Sequence, residues 1–191
     1  VLRLIPRFTV VLDANIIYSI PLLDSSIRLA QRDLCAVRWT AAILEEAQRN
    51  LIKNRSDEMR IRRRFEALRA QFEDWEISGF EDLIPSMKCH DKDRHVLAAA
   101  VRGGASQIVT ANIRDFPPHS LAPYDIEAVP PDEFLLNLLH MYPKDTLEVI
   151  EEQAAAMRRP PLSVDDVLLS LNRCGAPQFA DEVATIITAT S

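Results

Sequence analysis

The stretch "FTVVLDANII", residues 8–17, decides how the rest of the chain is read. A β-prone apolar run from Phe8 to Leu12 stops on Asp13, Asn15 comes next but one, and apolar residues resume at once. A continuous apolar run is the pattern of a strand buried on both faces of a parallel sheet. An ionised carboxylate at its end needs a reason, because taking that charge out of water is costly. Either Asp13 caps the next helix, or it is held there to bind something.

Working outward, Ile16, Ile20, Leu23, Ile27 and Ala30 recur at spacings of three and four, which predicts a helix from Asn15 to Gln31. "LCAVRW" (34–39) is a second short strand, and Thr40 is placed to cap the helix "AAILEEAQRNLIK". A heavily charged helix is expected over roughly 57–75, with Arg60, Arg62, Arg63, Arg64 and Arg69 set against Glu58, Glu66 and Glu73. "DRHVLAAAVRGG" reads as a helix that ends on its glycines, "SQIVTAN" as a third strand and "DIEAV" as a fourth. Strands alternating with helices predict an α/β sandwich around a mainly parallel sheet. "PPDEFLLNLLHMY" returns to helix and closes this unit, residues 1–142. Residues 143–191 carry no strand signal and predict a helical extension built from "TLEVIEEQAAAMRR", "SVDDVLLSL" and "QFADEVATII".

Composition narrows the function classes. A chain of 191 residues with 48% hydrophobic and 26% charged residues has the balance of an ordinary soluble domain. A net charge of −6 argues against a protein that simply coats nucleic acid, yet it does not exclude a nuclease, because a carboxylate-rich metal site lowers net charge by itself. Cys35, Cys89 and Cys174 form no CxxC and make no zinc spacing with His90, His95, His119 or His140, so reduced thiols in the cytoplasm are expected. No apolar run reaches the ~18 residues of a bilayer span, and the N-terminus does not read as a signal peptide. The expectation is a cytoplasmic protein with no membrane partner.

The carboxylates fall in a pattern. Ligands in open α/β sheets bind beyond the carboxyl ends of the strands. Asp13 ends the first strand, while Thr110, Asn112 and Asp115 come after the third in "IVTANIRDF", so both clusters belong at one edge. In "DRHVLAAAV", Asp93 shares a face with Val96, Leu97 and Ala100, whereas Asp91 points elsewhere. In "ILEEAQRNL" the apolar stripe is Ile43, Ala47 and Leu51; Glu46 lies at its margin and Glu45 nearly opposite. Each acid alone has a plain explanation as a cap, a turn former or a solvated helix residue. Separate caps have no reason to share one edge, and carboxylates brought together repel unless a cation neutralises them. An all-oxygen set suits Mg²⁺ or Mn²⁺ and phosphodiester hydrolysis, since no P-loop is present for nucleotide binding.

In order along the chain, "VVLDAN", "TAAILEEAQRNL", "DRHVLAAAV" and "IVTANIRDF" resemble the PIN-domain ribonucleases, in particular VapC-type toxins of bacterial toxin–antitoxin systems. The resemblance covers about residues 6–140 and implies a PIN-like three-layer sandwich with Mg²⁺- or Mn²⁺-dependent endonucleolytic cleavage of RNA by activated water. It puts catalytic, metal-binding acids at Asp13, Glu46 and Asp93. Many members carry the fourth acid two residues after the threonine, where this chain has Asn112; Asp115 is the compensating acid. Asn15, Thr110 and Asn112 take supporting roles. A cognate antitoxin and a homodimer are the implied partners. The longer C-terminus resembles the accessory helices of a subset of PIN toxins, with either a packing role or a role in binding RNA or antitoxin. Lys53, Arg55, Arg62, Arg63 and Arg64 are candidates to hold the RNA backbone, against a plainly solvated helix. Two alternatives stay open: an RNA-processing PIN nuclease without an antitoxin, and a catalytically silent PIN module. A phosphatase using Asp13 as nucleophile matches the first strand only, and its second aspartate is Asn15 here.

Overall fold

A computed structural model describes residues 8–54, 57–156 and 161–190. Four parallel strands form one sheet in the order β2-β1-β3-β4: β1 (Thr9–Leu12), β2 (Ala36–Arg38), β3 (Gln107–Val109) and β4 (Glu127–Val129). The strand that runs into Asp13 is central. It pairs with β2 through Val10 opposite Val37 and with β3 through Val11 opposite Ile108. Val10, Val11 and Leu12 are each 0% exposed. Successive strand residues point to opposite faces, so consecutive full burial means that helices cover the sheet on both sides. That is the three-layer α/β sandwich the apolar run predicts. Each such buried side chain contributes about 1.5–3 kcal/mol.

The helices are α1 (Ala14–Tyr18), α2 (Ile20–Gln31), α3 (Ala41–Asn54), α4 (Glu58–Gln71), α5 (Arg94–Arg102), α6 (Pro118–Leu121), α7 (Pro131–Met141), α8 (Pro143–Ala156), α9 (Val164–Arg173) and α10 (Pro177–Thr190). Thr40 caps α3 as expected, its Oγ1 accepting from the Ile43 N–H at 3.1 Å. At the end of α5, Gly104 takes φ +60° and the Ala105 N–H donates back to the Ala100 carbonyl at 2.9 Å. A left-handed residue there closes the helix without the Cβ clash that other residues meet.

Two helix expectations need correction. The helix expected from Asn15 to Gln31 is two helices, broken at Ser19, whose backbone is extended at φ −81°, ψ 105°. Pro21 explains the break: it has no N–H to donate back, and its ring would clash with the carbonyl four residues earlier in an unbroken helix. The charged helix expected to reach residue 75 ends at Gln71, and a 3₁₀ turn, Glu73–Trp75, comes after it. There Phe72 and Trp75 pack with Trp39 into an aromatic cluster, with ring centroids 4.5–6.1 Å apart. Trp39 is 0% exposed, so it serves the core.

The C-terminal helices join the same core. Val149, Ile150, Leu171, Phe179 and Val183 are buried in one continuous cluster with the sheet residues. Buried Ser25 on α2 donates to Gln153 Oε1 on α8 at 2.7 Å, and Arg32 grips Glu148 and Glu152, each at 2.6 Å. Asp132 on α7 accepts the N–H groups of Gln178 and Phe179 and so caps α10. Residues 157–159, expected to finish the α8 helix, lie outside the described residues. Among the described residues no helix is long and apolar enough to cross a membrane.

Candidate functional site

β1 and β3 are neighbours in the sheet and run parallel, so the chain leaves both strands at the same rim. The Asp13 N–H donates to the Val109 carbonyl at 3.1 Å, carrying the sheet pairing one step beyond the strands. The Asp13 side chain is 5% exposed and meets three donors. Oδ1 accepts the Ala14 N–H at 2.6 Å, and Oδ2 accepts Asn15 Nδ2 at 2.6 Å and the Thr110 hydroxyl at 2.7 Å. Asp13 therefore does cap α1, and it is also tied to the end of β3.

Thr110 and Asn15 complete the network. Thr110, 0% exposed, spends its one proton on Asp13 and accepts from Asn15 Nδ2 at 3.0 Å and from the Asn112 N–H at 3.0 Å. Asn15 Oδ1 accepts the Ala111 N–H at 3.0 Å. Both side chains thus use their polar atoms on this one junction, as buried groups must.

Asp93 enters the rim from the start of α5. Its own side chain makes no capping bond, which removes the plain explanation for an acid at that position. Its side chain is 20% exposed, against 83% for Asp91, which pairs with Arg94. Burial, then the charges of Asp13 and Asp115, push the Asp93 carboxyl above its ordinary value; His90 and His95 pull the other way. Asp93 thus feels both Asp13 and Asp115.

Asp115 closes a 3₁₀ turn, Ile113–Asp115, and is half-buried, whereas Asn112 is exposed and contributes its backbone N–H to Thr110. Among the described residues, one group of three metal-ligating side chains brings its ligand atoms within 4.8 Å of one another: His90, Asp93 and Asp115. His90 Nδ1 lies 3.3 Å from Asp93 Oδ2. The backbone fixes this spacing, since the His90 N–H donates to the Asp115 carbonyl at 3.2 Å and the Asp93 N–H to the His90 carbonyl at 2.9 Å. Asp13 and Glu46 stand outside that group of three.

Glu46 is half-buried on α3 and Glu45 is exposed, as the helix phase requires. His90 is the residue that sequence reasoning missed. Spacing tests it only as a zinc ligand beside cysteines, although its place three residues before Asp93 is the available signal. Of the candidate RNA contacts, Lys53, Arg62 and Arg63 are exposed and Arg64 is half-buried, with Arg62 engaged by Glu58 at 2.6 Å. Arg55 lies outside the described residues.

A divalent cation fits this rim on its donor set: the half-buried carboxylates of Asp93 and Asp115, with the His90 imidazole alongside. Comparisons with known proteins give the site a family. The PIN domain family matches residues 9–114, and the VapC50 C-terminal domain matches residues 131–185. A protein of Mycobacterium tuberculosis described as "Putative ribonuclease VapC50" is 47% identical over 102 residues, a segment covering 53% of this chain and 60% of that relative. No solved structure matches. The chain belongs to the PIN-domain family, and its residues 131–185 match the VapC50 C-terminal domain.

Proposed function

We propose that this chain is a divalent-metal-dependent endoribonuclease and the toxin of a type II toxin–antitoxin pair. One observation carries most of the weight. Asp93 is half-buried within the field of two other acids, Asp13 and Asp115, uncommitted to its helix, with its carboxyl pushed above its ordinary value. Such an arrangement is costly without a cation and useful with one. The likeness to a relative described as a ribonuclease supports RNA as the substrate and an antitoxin as the partner.

Asp13, Asp93 and Asp115 would hold Mg²⁺ or Mn²⁺, with Glu46 assisting from α3. A bound ion of this kind supplies an activated water and neutralises charge that develops on the phosphoryl centre. The chain's own residues do the rest. Asn15 and Thr110 hold the Asp13 carboxylate by hydrogen bonds, so its orientation is set before a cation arrives and little freedom is lost on binding. The backbone bond from His90 to Asp115 keeps the last acid beside Asp93. Lys53 and the Arg62–Arg64 group of α4 would hold phosphates, which supply affinity rather than sequence choice. Asn112 supports the site through its backbone.

The test is cleavage of total RNA by the purified chain. Activity is expected to vanish with EDTA and to return with Mn²⁺ or Mg²⁺; cleavage that survives full chelation overturns the metal assignment. Induced alone, the chain should arrest growth, and a small protein encoded beside it should relieve the arrest and co-purify with it. Growth arrest that no neighbouring gene relieves favours an RNA-processing nuclease instead. Sedimentation of the chain as a dimer would support the homodimer expected from the resemblance.

A further inference from the structure

The nitrogen at the rim has no place in an all-acid site. Resting on the metal-dependent reading of this rim, we infer that His90 ligates the cation directly through Nδ1 and biases the site toward Mn²⁺ over Mg²⁺.

The geometry is that of a ligand pair. His90 Nδ1 and Asp93 Oδ2 are 3.3 Å apart. Around an octahedral ion with bonds of about 2.1 Å, adjacent ligand atoms stand about 3 Å from each other, so these two atoms span one edge of such an octahedron. Asp115 is the third donor at this spot, since one ligand atom from each of the three residues falls within 4.8 Å of the others. The spacing comes from the main chain. His90 donates its N–H to the Asp115 carbonyl and offers its own carbonyl to the Asp93 N–H, at 3.2 and 2.9 Å. The loop is held in turn by Ser120, whose hydroxyl donates to the Lys88 carbonyl at 2.8 Å. A ring placed beside Asp93 by three main-chain anchors is positioned, not adventitious.

His95 provides the contrast within the same stretch. Its Nδ1 sits 2.9 Å from the Lys92 carbonyl, a contact that commits that nitrogen as a donor, and the residue is outside the group of three. The His90 side chain is 52% exposed, and the Asp93 carboxylate stands beside its ring.

Chemistry gives the selectivity. Mg²⁺ takes oxygen ligands and keeps its waters, whereas Mn²⁺ also accepts imidazole. A site of carboxylates alone offers little to separate the two ions. One imidazole in the set adds affinity for Mn²⁺ and displaces a water that Mg²⁺ releases reluctantly. The competing account has His90 as an imidazolium that balances Asp93 and leaves when the cation arrives; in that case the ring never touches the ion.

Pulsed EPR of the full chain loaded with Mn²⁺ separates the two. Coupling to a directly bound ¹⁴N is expected in the wild type and in His95→Ala, and its absence is expected in His90→Ala. Calorimetry should show His90→Ala weakening Mn²⁺ by at least about tenfold while Mg²⁺ stays within about twofold. Bound Mn²⁺ without nitrogen coupling in the wild type overturns the inference, as does coupling that persists in His90→Ala. A separate control reports on the parent reading: Mn²⁺ affinity unchanged in Asp93→Asn means the ion sits elsewhere, whatever the nitrogen signal.

Discussion

The hydroxyl of Thr110 donates to Asp13 and accepts two N–H groups, from the Asn15 side chain and the Asn112 backbone. Thr110→Val keeps the shape and strands those donors, so a loss of about 1–3 kcal/mol in urea denaturation is expected, together with reduced RNA cleavage. Thr110→Ser should retain both; a Val variant as stable as the wild type contradicts the network's role. Asp93 makes the opposite stability prediction. Its carboxyl is held above the ordinary value, so folding favours the neutral form. That stabilisation is complete below the unfolded value and is lost as pH rises through the folded one, leaving a penalty on metal-free protein at neutral pH. Asp93→Asn should therefore melt higher than wild type at pH 7 without metal, and Mn²⁺ should raise the wild type more than the variant. A variant that melts lower at pH 7 in EDTA contradicts the sign. Cys35 is separately predictable: burial pushes its thiol up to about 12, so alkylation should require unfolding.

At the scale of elements, Asp13 and Asp93 are legible in sequence because each interrupts an apolar pattern whose period is unambiguous. The run into Asp13 has the length and composition of a strand, and the face shared by Asp93, Val96, Leu97 and Ala100 comes from a 3.6-residue turn. His90 is not legible that way, since it lies outside any periodic segment and is placed by a main-chain bond to Asp115 that pattern cannot express. The break at Ser19 is readable in principle from Pro21, yet the apolar spacing runs through it and masks it. Helix phase also carries a prediction for α3. Glu46 is half-buried and Glu45 exposed, so Glu46→Gln is expected to cut RNA cleavage by about 10²-fold or more while Glu45→Gln changes it little. Reversal of that pair would show that the wrong face of α3 turns toward the rim.

Over the whole molecule, four parallel strands gather acids from three separate stretches of chain at one rim, and a helical extension packs into the same core. We propose the division after residue 142, with α7 serving both parts: it closes the sandwich and, through Asp132, caps α10. The extension's hold is apolar more than ionic. Phe179→Ala should cost about 3–5 kcal/mol in urea denaturation, because the side chain is fully buried and leaves a cavity. Arg32→Ala should cost less than about 1 kcal/mol, since the acids it grips, Glu148 and Glu152, are well exposed. The reverse ranking would mean that the extension is clamped on by charge. The joint action of the distant acids is tested most directly by the rate at which folded Asp93→Asn cleaves total RNA in saturating Mn²⁺. Loss of about 10²-fold or more is the expected result, with the melting transition intact. Cleavage at the wild-type rate would contradict a shared metal site at this rim.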